Sequence, residues 1–91
     1  MAVTKQVTLG AGATQVSTTP IPFRQAMIQN NATHAVRVGD SAVSATRGAN
    51  LLPNSVGSVN LGTFTAAVAD DLSQYWLFGT ATDVIDIIYI Q

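Results

Sequence analysis

The chain has 91 residues, no cysteine, 47% apolar and only 10% charged side chains, and four basic residues against five acidic ones for a net charge of -1. That length supports one domain, which buries only about 60 to 65% of the surface its unfolded chain exposes and has neither disulfide nor structural zinc to staple it. The scattered cations Lys5, Arg24, Arg37 and Arg47 argue against nucleic acid as a partner, because phosphate binding needs clustered Lys and Arg.

In chain order, Val3, Val7 and Leu9 alternate with Thr4 and Thr8, with Lys5 against the pattern, which predicts a first strand ended by Gly10-Ala-Gly12. The run Thr14 to Thr19 is polar and β-branched and leads into Pro20-Ile-Pro22. Two prolines exclude a central strand, so this is an edge or an extended connection. Residues 1–22 thus read as a loosely attached N-terminal arm with the first strand, and residues 23–91 as a single β-domain.

Phe23 to Gln29 reads as a strand, with a helical alternative over Arg24 to Met27, and it ends at Asn30-Asn31, a pair that tolerates left-handed backbone in a turn. Ala35 to Val38 and Ser41 to Ala45 read as strands joined by a two-residue turn at Gly39-Asp40, with glycine supplying positive φ. Leu51 to Asn54 is a turn entry, and Ser55 to Leu61 alternates small polar and apolar residues. Phe64 to Ala69 fits a strand or a helical turn, and Asp70-Asp71-Leu72-Ser73 resembles a helix N-cap or a tight turn.

Residues 71–90 read as one β-hairpin that carries most of the large apolar side chains. Tyr75, Leu77 and Gly79 lie on one face and Trp76 and Phe78 on the other, with a link through Gly79 to Asp83. The densest apolar run, Val84 to Ile90, is far shorter than the roughly 20 residues of a membrane-spanning helix. With no basic and apolar leader at the N-terminus, the expectation is a chain made in a cytoplasm with no membrane partner. The sum is an all-β fold, a compact antiparallel β-sandwich or small barrel, jelly-roll-like, of seven to eight short strands with an extended N-terminal arm.

Candidate chemistry is sparse. His34 is the only histidine, and the sequence pairs it with neither an orienting carboxylate nor a nucleophile, so it reads as a surface residue. Asn31-Ala32-Thr33 matches the N-glycosylation pattern, which without a secretory leader is a chance match. Asp70-Asp71 and Asp83/Asp86 are better capping and turn groups than calcium ligands or an acid–base pair. Asp86 stands apart, because it interrupts a strand that is apolar on both faces: it is either a charge on the outward face or a partner for an arginine across a subunit contact. No GxGxxG or Walker pattern occurs. Tyr75, Trp76 and Tyr89 could stack on a sugar, but aromatics at such positions serve more often as core or interface anchors. No catalytic, cofactor-binding or metal-binding residue is nominated.

The run Val36-Arg-Val-Gly-Asp-Ser-Ala-Val-Ser-Ala-Thr-Arg-Gly-Ala-Asn-Leu-Leu-Pro-Asn54, together with Asp71-Leu-Ser-Gln-Tyr-Trp-Leu-Phe-Gly-Thr-Ala-Thr-Asp-Val-Ile-Asp-Ile-Ile-Tyr89, resembles small virion structural proteins of tailed bacteriophages. The likeness covers residues 36–91. It implies a capsid cement or decoration protein on the virion surface that binds the major capsid protein as a homo-oligomer, a trimer favoured, without cofactor or enzymatic activity. The interface residues expected on that reading are Tyr75, Trp76, Phe78, Asp86 and Tyr89. A tail, baseplate or fibre module that grips a host glycan through Tyr75 and Trp76 is the alternative, and a small enzyme is the weakest of the three.

Overall fold

The computed structural model describes residues 1–62 and 70–91. Ten strands follow one another: β1 (Ala2–Thr8), β2 (Thr14–Gln15), β3 (Pro22–Phe23), β4 (Gln25–Gln29), β5 (Val36–Gly39), β6 (Ala49–Leu51), β7 (Ser58–Gly62), β8 (Asp70–Asp71), β9 (Trp76–Phe78) and β10 (Val84–Ile90). A single 3-10 turn, Leu72–Gln74, precedes β9. The Phe64 to Ala69 segment lies outside the described residues.

The strands form two four-stranded antiparallel sheets, β1-β10-β4-β7 and β2-β9-β5-β6, with β3 and β8 as a two-stranded rib. Taking the eight strands of the large sheets in sequence, the chain alternates between sheets except at the β5–β6 hairpin, and the first and last strands lie side by side. That is jelly-roll connectivity, two Greek keys folded into a sandwich. The expected sandwich is present, and its barrel alternative is not, since β1, β7, β2 and β6 are open edges among the described residues.

The core follows from the period of two. In β10 the inward row is Ile85, Ile87 and Tyr89, in β4 it is Ala26 and Ile28, and from the opposite sheet come Val36, Val38, Leu51 and Leu77, all buried. Phe23 and Leu72 close one end of this layer from the rib and the 3-10 turn. Of the two alternatives for Asp70 to Ser73 the structure has the cap: Asp71 is the N-cap of that turn, and its Oδ1 accepts from the Ser73 amide at 2.8 Å and from the Ile21 amide at 3.0 Å. Hydrogen bonds from the Ser73 backbone and side chain, then from the Ile21 backbone, hold this carboxyl below the usual carboxylate range.

Several expectations need correction. Residues 71–90 are not a hairpin: β9 pairs with β5 and β2, whereas β10 pairs with β1 and β4 in the facing sheet. The link at residues 79–83 is a corner between sheets, pinned where the Leu9 amide donates to the Asp83 carbonyl and the Thr82 amide to the Leu9 carbonyl, each at 2.8 Å. Strand, turn and strand give the same local signal in both arrangements. Nor is the extended segment 1–22 loose. β1 pairs with β10 in register from Ala2 opposite Ile90 to Thr8 opposite Val84, and Val7, Leu9 and Val16 are buried.

Ser41 to Ala45 is a turn rather than a strand, with one isolated bridge between Ser44 and Arg47. β5 pairs instead with β6, so the connection runs from Asp40 to Gly48. The positive φ falls on Gly48 (118°), not on Gly39. There a Cβ would sit 2.7 Å from the Val38 carbonyl oxygen, which only glycine avoids. Asn30-Asn31 does begin a turn, but neither residue is left-handed; positive φ at non-glycine residues occurs at Asn54, Ser55 and Thr82. The helical alternative over Arg24 to Met27 is excluded by β4.

Candidate functional site

The outward rows of the β1-β10-β4-β7 sheet make the most distinctive surface of the described residues. Rows run across the strands as Thr4, Ile88, Met27 and Asn60, then Gln6, Asp86, Gln29 and Ser58, with Ala2, Ile90, Gln25 and Gly62 on the other side. Asp86 is the one charged residue in these rows. Met27, Ile88 and Val84 are 37%, 41% and 37% exposed, unusual for large apolar side chains on a central strand pair. The cause lies in β10, whose sequence Val-Ile-Asp-Ile-Ile-Tyr-Ile places large apolar side chains on both faces. Antiparallel sheets with one solvated face normally alternate with polar residues.

Asp86 is held by neutral donors. Gln6 Nε2 donates to Oδ1 at 2.9 Å and Asn31 Nδ2 to Oδ2 at 2.6 Å, while Ser55 Oγ donates to Asn31 Oδ1 at 2.6 Å. The carboxylate thus occupies the side of a hollow of about 590 Å³ that Thr4, Gln29, Met27 and Ile88 also line. On the far side of Met27 and Ile88 lies a second hollow, about 340 Å³, walled by Ala2, Gln25, Asn60 and Ile90. The two side chains therefore form a ridge between a depression of mixed lining and an apolar one.

The five residues expected at an interface separate into three groups. Asp86 lies on this outward face. Trp76 and Phe78 lie on the outward face of the other sheet, half-buried, Trp76 between Gln15 and Gly39 and Phe78 beside Arg37, while Leu77 between them points inward. Tyr89 belongs to the core at 7% exposure, because it shares the inward row of β10. Tyr75 also packs inward, its ring centroid 6.1 Å from that of Phe23, and its hydroxyl donates to Asp70 Oδ2. Burial, then the Asp70 hydrogen bond and charge, push its hydroxyl up to about 12. Tyr75 and Trp76 consequently do not share a face, so they form no joint stacking platform for a sugar.

His34 does have a carboxylate partner, which its sequence neighbourhood concealed: Nδ1 lies 2.9 Å from Asp83 Oδ2, with the imidazole 55% exposed. The Thr33 hydroxyl is 3.4 Å from the same nitrogen. A second nitrogen aligned on a nucleophile, which acyl-transfer chemistry needs, is not among these contacts. Among the described residues no three His, Cys, Asp or Glu side chains converge as metal ligands. Asn31 of the Asn31-Ala32-Thr33 motif spends its amide on Asp86. The amides around Asp86 were not foreseen, and no local signal marks them, since Gln6 and Asn31 stand 80 and 55 residues away in sequence.

Comparison with protein-family models, with curated proteins and with solved structures finds no match for this chain.

Proposed function

We propose that this chain is a non-enzymatic accessory protein of a bacteriophage capsid, a cement or decoration protein that binds the outer shell and stabilises contacts between major capsid subunits. The observation that carries the reading is the outward face of the β1-β10-β4-β7 sheet, apolar along its ridge and with its one carboxylate satisfied by amides. A face of that kind loses little on being covered: its carboxylate keeps its amide donors, and Met27, Val84 and Ile88 leave water.

Two further points support the reading. The likeness to tailed-phage virion proteins runs through β5 to β10, and jelly rolls recur in capsid proteins, although they also occur in lectins and cupins, so the fold by itself assigns nothing.

The experiment is reconstitution. Purified protein is added to particles assembled without it, and occupancy and particle melting temperature are measured. The expected result is saturable binding to the shell with a raised melting temperature. Absence of binding to shells, or binding confined to tails, rejects the proposal.

A further inference from the structure

We infer that the outward face of the β2-β9-β5-β6 sheet carries a site for a carboxylated sugar, in which Arg37 takes the carboxylate. The site lies on the sheet opposite the face proposed for the shell, and it does not depend on that reading.

The register builds the site. Pairing of β5 with β9 and β6 sets Phe78, Arg37 and Asn50 side by side in one outward row. Arg37 and Phe78 are half-buried and Asn50 is exposed. With Thr80, just past the end of β9, and the small side chains of Ala35 and Ala45, this row encloses a hollow of about 310 Å³. That size is at the small end of ligand pockets and suits a single sugar ring.

Charge decides what enters. Arg37 Nη1 donates to the Gly48 carbonyl at 2.9 Å, the only hydrogen bond from this side chain among the described residues, and that contact fixes the guanidinium in place. No carboxylate of the chain balances it. All five acidic residues are engaged elsewhere: Asp40 with the Ala42 amide, Asp70 with the Tyr75 hydroxyl, Asp71 with the Ile21 and Ser73 amides, Asp83 with His34, and Asp86 with Gln6 and Asn31. The one ion pair among the described residues is that of His34 with Asp83. A guanidinium offers five donors in a plane, so with one spent on Gly48 a fork remains for the two oxygens of a carboxylate. Half-burial makes that pairing stronger than it would be on an open surface, because water screens it less.

The neighbours of Arg37 select what bears the carboxylate. A bare anion needs the guanidinium alone. Here the Asn50 amide and the Thr80 hydroxyl add donors and acceptors suited to hydroxyl groups, while the Phe78 ring adds an apolar surface suited to C–H groups. A sugar acid presents a carboxylate, hydroxyls and C–H groups in one compact ring. Trp76 stands two residues before Phe78 on the same outward face, opposite Gly39, which has no side chain to cover it. It is the one tryptophan of the chain, so its fluorescence reports on this face.

The test is titration of the full chain with glucuronate, followed by Trp76 fluorescence and by amide chemical shifts, with glucose and acetate as comparisons. Saturable binding of glucuronate at about millimolar strength is expected, as for a small ligand in an open hollow, with shifts gathered at Arg37, Asn50, Phe78 and Thr80. Glucose, which lacks the carboxylate, and acetate, which lacks the ring, should each bind more weakly by on the order of tenfold or more. Arg37→Gln should weaken glucuronate binding to the level of glucose, and Asn50→Ala, at an exposed position, reads the same site should Arg37→Gln fail to fold. Arg24→Gln makes the same change of charge at an exposed position outside the hollow and should leave binding intact. No saturable binding at concentrations tenfold above the expected strength, shifts gathered on another face, acetate or inorganic phosphate bound as tightly as glucuronate, or a folded Arg37→Gln that binds as the wild type does overturns the inference. The functional proposal is scored separately: a chain that attaches to shells without binding glucuronate overturns this inference alone, and one that binds glucuronate in the hollow without attaching to shells supports it while rejecting that proposal.

Discussion

Asn30 connects three segments with one side chain. Its Nδ2 donates to the carbonyls of His34 at 2.8 Å and Leu51 at 3.0 Å, and its Oδ1 accepts from the Ala32 amide at 3.0 Å, all without exposure to solvent. Asn30→Ala removes these bonds and leaves buried backbone groups unpaired, so it should cost about 2 to 4 kcal/mol. Urea denaturation measures this as a lowered midpoint at constant slope; a loss below about 1 kcal/mol would show that water replaces the amide. Tyr75 gives a pH signature. Its hydroxyl is raised to about 12 when folded, from the ordinary tyrosine value of 10.0. A group whose folded pKa is raised stabilises fully below the unfolded pKa, and the stabilisation is lost between pH 10 and about 12 as the unfolded chain ionises first. The wild type should therefore lose more stability over that window than Tyr75→Phe does, measured by urea denaturation at successive pH values; parallel losses would contradict the Asp70–Tyr75 contact. Asp71 works in the opposite sense. Its depressed carboxyl contributes stability above the ordinary carboxylate pKa, which is lost as acid protonates it.

At the level of elements, neighbouring residues of β9 should respond unequally. Leu77 is fully buried and Trp76 half-buried on the outside of the sheet, so Leu77→Ala should cost about 3 to 5 kcal/mol and Trp76→Ala about 1 to 2. Equal losses in thermal or urea unfolding would mean that the indole is a core group. Deletion of residues 2–19 removes both β1 and β2 along with buried Val7, Leu9 and Val16, and should abolish cooperative unfolding rather than leave a folded domain. How much of this is legible in sequence depends on range. Alternation in β1, the cap-or-turn signal at Asp70 to Ser73, and the opposite faces of Leu77 and Trp76 are local patterns that the strands carry; that Leu77 is the inward one depends on which sheet β9 joins. Which sheet each strand joins is not local: Val84 to Ile90 carries the same residues whether it pairs with β9 or with β1. The Asp86 network, the His34–Asp83 pair and the buried role of Tyr89 depend on that assignment, so they too escape a reading along the chain.

The whole molecule is small, measuring 33 × 24 × 19 Å along its principal axes, and its described core is one layer between two sheets. A chain of this size has limited apolar area to bury by itself, yet it leaves Met27, Val84 and Ile88 exposed on one sheet. On the proposed function, covering that sheet on the shell would add to this burial, and a carboxylate dressed with amides by Gln6 and Asn31 would keep its partners there. The most direct test of the proposal is electron microscopy of phage particles to which the protein has been added, at a resolution that traces strands. The expected result is a jelly-roll density on the outer shell with the β1-β10-β4-β7 face covered by a capsid subunit. Density confined to the tail, or a shell-bound copy with that face open to solvent, would contradict it.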